Sequence, residues 1–76
     1  MSLLSTIKRA ASVATKATYD GRVVVMKNET GYYVTEHTDH CSYDLGGEEI
    51  FSFDTSPYNR GSAAALVRYA REELHI

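Results

Sequence analysis

The chain reads as an α+β domain in the order α-β-β-β-α, a three-stranded antiparallel sheet with two helices on one face. Three observations carry that reading. Apolar residues recur at helical spacing near both ends of the chain. Strand-forming residues alternate with turn chemistry between them. And 76 residues leave room for one hydrophobic core, so 1–76 is a single small domain.

The first helix follows from Leu3, Ile7, Ala10, Ala14 and Ala17, which recur at steps of four and three, with Leu4 and Ala11 widening the stripe. Lys8, Arg9, Ser12, Thr15 and Lys16 fall on the other side. Ser2 is the expected N-cap, because its hydroxyl can accept from an orphan amide of the first turn. The alanines make a thin helix that can lie close to a sheet. Tyr19-Asp20-Gly21 is expected to end it, with Gly21 supplying a positive φ.

From Arg22 to Lys27 the residues are compact and largely β-branched, which suits a strand. Asn28-Glu29-Thr30-Gly31 is turn chemistry, and Tyr32 to Thr38 resumes the strand, so these two form a hairpin. Asp44-Leu45-Gly46-Gly47 breaks the pattern before a third strand, Glu49 to Phe53. The period of two puts Phe51 and Phe53 on one face, with Ile50 and Ser52 on the other. One face of the sheet is expected to be buried and the other wet. Asp54-Thr55-Ser56-Pro57 offers caps for the last helix, where Ala63, Leu66, Val67, Ala70 and Leu74 make one apolar stripe. Gly61 places the start of that helix near Ser62.

Composition narrows the function. The charged fraction of 24% and hydrophobic fraction of 43% are those of a globular chain. No apolar run approaches the roughly 20 residues of a membrane span, and the opening residues lack a secretory pattern. The lone Cys41 excludes an internal disulfide, so a cytoplasmic protein is expected.

The net charge of −2 hides a segregated layout. Residues 1–27 carry Lys8, Arg9, Lys16, Arg22 and Lys27 against Asp20 alone. Residues 28–57 carry Glu29, Glu36, Asp39, Asp44, Glu48, Glu49 and Asp54 with no lysine or arginine. Residues 58–76 carry three arginines against Glu72 and Glu73. Such a stretch projects a negative field that repels nucleic acid and attracts a basic protein surface. It also serves to keep an exposed sheet soluble. Six tyrosines add rigid contact area of the kind that anchors interfaces, although several are needed to roof so small a core.

Chemistry of other kinds has little support. Walker, Rossmann, zinc-finger and triad signatures are missing from the sequence. In a regular strand His37, Asp39 and Cys41 would share a face, leaving His40 behind, and a turn could instead gather His37, His40 and Cys41. Neither spacing fits a zinc pattern, so no metal and no cofactor is expected. Cys41 with a neighbouring histidine lacks the orienting group and oxyanion site a nucleophile needs. The chain reads as a non-enzyme.

The element order is similar to that of the double-stranded-RNA-binding domain, with Gly61-Ser62-Ala63-Ala64-Ala65-Leu66 where that family has its final helix. That family grips phosphates with a lysine cluster there, and this chain offers Arg60 alone. In type, the separated acidic segment and the tyrosines resemble small phage anti-defence proteins, anti-CRISPRs among them. The resemblance implies an inhibitor that occupies a basic surface of a host nucleic-acid-handling complex such as CRISPR-Cas. Its contact residues would be Tyr32, Tyr33, Glu36, Asp39, Tyr43, Asp44, Glu48 and Glu49. Charge reversal at Glu48 and Glu49, or at Glu36 and Asp39, is expected to slow association without unfolding the domain. The alternative is a nucleic-acid-binding module using Lys8, Arg9 and Lys16 with Arg60 and Arg68, recognisable by steep salt dependence. A homodimer through an exposed strand edge is a third reading, and no membrane partner is expected.

Overall fold

The computed structural model describes residues 2–38, 46–55 and 61–76. Helix α1 (Leu3–Lys16) leads into β1 (Gly21–Asn28), β2 (Gly31–Thr38) and β3 (Glu48–Asp54), and α2 (Ala63–Leu74) follows. All pairings are antiparallel, and the spatial order is β2-β1-β3. The most apolar strand is therefore central, and both acidic strands are edges. Helix α1 lies against all three strands and α2 lies against α1, which gives the two-layer α+β architecture expected from the sequence.

Local chemistry sets the boundaries. Ser2 caps α1, its hydroxyl accepting from the Ser5 amide at 3.1 Å. The chain leaves the helix at Ala17 in extended geometry, φ −67° and ψ 139°. Gly21 does not terminate the helix: it opens β1, where a Cβ would run into the carbonyl oxygen of His37 on β2. Glycine serves there for close approach of two backbones rather than for a reversal. In the hairpin turn the Asn28 side-chain oxygen accepts from the Thr30 amide at 2.9 Å, and Gly31 takes φ 131°.

The core forms between α1 and the sheet. Ile7, Ala10, Ala11 and Ala14 meet Val23, Val25 and Phe53, and Ala70 of α2 closes the cluster. Phe51 and Phe53 share the helix side, with ring centroids 5.1 Å apart in an edge-to-face arrangement. Ile50 departs from strict alternation. A register shift between Val25 and Met26 makes it an extra residue in β3, and it packs against the core instead of facing away.

The expectation of one wet face also fails at β1. Val23 to Met26 are all buried, including Val24 and Met26, whose side chains lie opposite the helices. A central strand is flanked on both sides, and here Val24 sits between Thr35 and Ser52, and Met26 between Tyr33 and Glu49. On the same face the Arg22–Glu49 ion pair runs diagonally across the Val24–Ser52 rung.

The cap of α2 is Ser62, whose hydroxyl accepts from the Ala65 amide at 3.2 Å. Of the earlier cap candidates, Ser56 and Pro57 lie outside the described residues, and Asp54 ends β3. Thr55 is buried and ties the strand ends to the first loop. Its amide donates to the Gly21 carbonyl at 3.0 Å and its hydroxyl to the Tyr19 carbonyl at 2.8 Å. His75 in the left-handed region, φ 58°, closes α2.

Candidate interaction surface

Register decides which of the expected contact residues can act together. Side chains at Val23, Val25 and Lys27 point to the helix side, so their partners Glu36, Val34 and Tyr32 on β2 do as well. Glu48 on β3 stands opposite Lys27, which makes Tyr32, Lys27 and Glu48 one rung across the sheet. The Lys27 ammonium lies 5.7 Å from the centre of the Tyr32 ring. Tyr33 points the other way, beside Met26, and its hydroxyl reaches across the sheet to Gly47, where a Cβ would collide with it.

At the same end of the sheet an open cleft of about 620 Å³ lies between the hairpin turn and the start of β3. Lys27, Glu29, Glu48 and the backbone at Gly46 and Gly47 line it. One ammonium thus sits among two carboxylates. The cleft favours a partner cation over an anion on charge alone.

Glu36 stands apart from this group. It pairs with Val23, four residues along β1 from Lys27 and on the far edge from Glu48. Strand geometry puts Glu36 and Glu48 roughly 16 Å apart. The Glu36 carboxylate lies beside Tyr19, whose buried hydroxyl has no well-formed hydrogen bond. Burial first, and then the neighbouring negative charge, raise the Tyr19 phenol above its usual range. Glu49 is already engaged: its carboxylate accepts from Arg22 at 3.0 Å, with both side chains a little under half exposed.

The carboxylates therefore rim the sheet instead of forming one patch, because β1 separates the two acidic strands. Tyr32 and Glu48 come together, while Tyr33 and Glu49 belong to the opposite face. Asp39, Tyr43 and Asp44 lie outside the described residues, as do His40 and Cys41 of the histidine–cysteine cluster. Among the described residues no group of three or more ligand-type side chains could hold a metal ion. No helix of the described residues is long and apolar enough to cross a membrane.

Two features escaped the sequence reading. Two buried polar atoms of β2, Thr35 Oγ1 and His37 Nε2, have no hydrogen-bond partner among the described residues. Tyr69 of α2 is 49% exposed while its ring meets that of Phe51 edge-to-face, the centroids 5.7 Å apart. With Phe53, Asp54 and Leu66 it lines a small pocket beside β3. Its place next to Ala70 of the helical stripe was the available signal for this exposed ring. The helical layer is basic: Lys8, Arg9 and Lys16 are all exposed, and α1 contains no acidic residue.

Comparison of the chain with known protein families, characterised proteins and solved structures finds no match.

Proposed function

We propose that this is a non-catalytic binding protein of phage or mobile-element type that docks on a basic surface of a host nucleic-acid-handling complex and blocks it by occupancy. A defence complex such as CRISPR-Cas is the intended kind of target. The observation that carries the reading is the charge layout of residues 28–57, seven carboxylates and no cation, in a chain whose first 27 residues are basic. Exposed Glu29, Glu36 and Glu48 stand on the strand layer, and exposed Lys8, Arg9 and Lys16 on α1. A partner lined with lysine and arginine would be drawn to the strands, where half-buried Tyr32 offers rigid contact on the rung of Glu48 and half-buried Tyr33 on the opposite face. Such steering acts mainly on the association rate and weakens with salt. Retention of a basic protein on the tagged chain from bacterial lysate after nuclease treatment, with slower association of a Glu36→Lys/Glu48→Lys variant, is the expected result. Unchanged association by that variant would remove the acidic-rim mechanism.

One observation favours a second reading. The exposed side of α1 offers three cations with no carboxylate on the same helix, a stripe suited to phosphate contacts. A low-salt duplex shift that fades steeply as salt rises, and that Lys8→Glu/Lys16→Glu abolishes, would promote a nucleic-acid-binding module instead.

A further inference from the structure

The two sheet edges differ in a way that bears on self-association. β3 is interrupted by its extra residue at Ile50 and carries Glu48, Glu49 and Asp54, which are devices that discourage edge pairing. β2 has far fewer of them. It keeps an unbroken register with β1 from Gly31 to Thr38, contains no proline or bulge, and has a single charge, Glu36. Among the described residues no strand pairs with its outer side. The edge from Gly31 to His37, rich in tyrosine, valine and threonine and with so little protection, is a template for another strand.

We infer that β2 pairs antiparallel with β2 of a second copy of this chain, about a two-fold axis at Val34, to give a continuous six-stranded sheet. A two-fold normal to the sheet keeps all four helices on one side. It also matches residues two, four or six positions apart, so amides that point outward in one copy meet their counterparts in the other. Two registers then compete. Centring on Thr35 would set each Glu36 against Val34 of the second copy and strand a carboxylate on an aliphatic side chain. Centring on Val34 sets Val34 against itself, next to the core it already packs on, and places Glu36 opposite the second copy's Tyr32. Tyr33 then meets Thr35, a pairing of strand-forming types.

This register makes Tyr32 a position where two effects have opposite signs. Within one copy Tyr32 faces Lys27, and across the dimer it faces Glu36. Tyr32→Glu therefore suits the monomer, by standing opposite Lys27, but sets like charges together at two symmetry-related rungs. Tyr32→Lys crowds Lys27 within the monomer but adds two opposite-charge rungs to the dimer. Sedimentation equilibrium of the full chain over a wide concentration range, with circular dichroism to follow folding, reads both effects. The expected result is a concentration-dependent dimer that Tyr32→Glu weakens by roughly 2- to 30-fold over the two rungs and Tyr32→Lys strengthens. A chain that stays monomeric throughout overturns the proposal. A dimer that responds equally to both variants, or more strongly to Tyr32→Lys in the weakening direction, overturns it as well, since it would place the interface elsewhere.

Discussion

Replacing Ala10 with leucine asks how closely α1 lies on the sheet. Ala10 is fully buried within the cluster of Ile7, Ala14, Val23 and Val25, in a layer that also receives Ala70 from α2. If α1 stood away from the strands, three added carbons would find room and stabilise the domain by about 2 kcal/mol, at roughly 0.8 kcal/mol per buried methylene. In a site closed on both sides they must displace neighbours, which costs about 1–3 kcal/mol. The sign of the change therefore distinguishes the two geometries. Ala64 on α2 is the control: it is the same residue type in the same kind of element but exposed, and Ala64→Leu should move stability by less than about 0.5 kcal/mol. Equilibrium urea unfolding followed by circular dichroism is the assay. With a slope near 1 kcal/mol/M for so small a domain, Ala10→Leu should lower the midpoint by about 1–3 M and Ala64→Leu should leave it nearly in place. An Ala10→Leu midpoint above that of the parent would refute the close packing of α1.

Other outcomes follow from single contacts. Gly47→Ala should cost about 1 kcal/mol or more, because the new methyl meets the Tyr33 hydroxyl. In a Tyr33→Phe background the cost should shrink, and a double-mutant cycle showing no coupling would mean the two do not touch. Thr35→Val replaces a buried hydroxyl that lacks a partner among the described residues, so unfolding midpoints should stay level or rise, whereas a loss above about 1 kcal/mol would reveal a hydrogen bond. Tyr19 holds its proton more tightly when folded than the usual phenol value of 10.0, so its contribution is intact below that pH and is lost as pH climbs through the folded value. The parent should therefore lose stability with rising alkalinity faster than Tyr19→Phe, and parallel curves would count against the burial and the Glu36 charge as its causes. Glu49→Gln breaks an exposed ion pair with Arg22 and should cost at most about 1 kcal/mol.

Much of the fold was legible because its signals are local. The alanine-rich stripe of α1, the Ser2 cap, the Asn28–Gly31 turn and the stripe of α2 each state a structure within a few residues. Features that depend on long-range placement were not legible. Nothing near Gly21 reveals that its hydrogen atom is needed beneath the His37 carbonyl, and nothing near Ile50 announces an extra residue in the ladder. Strand order was the decisive gap for the candidate surface. The acidic segment is continuous in sequence, which suggests one face. Placing β1 in the middle sends Glu36 to one edge and Glu48 to the other, and the alternation of side chains divides Tyr32 from Tyr33. Charge composition survives folding as a rim, but a patch does not follow from composition alone.

The most direct test of the binding proposal compares three tagged chains in bacterial lysate, with and without nuclease, read by mass spectrometry: the parent, Glu36→Lys/Glu48→Lys and Lys8→Glu/Lys16→Glu. The expected result is a nucleic-acid-handling protein that the parent retains after digestion, that the strand variant loses and that the helix variant keeps. Recovery of nucleic acid, with every partner lost on digestion and binding abolished by the helix variant, would contradict it and assign the interaction to α1.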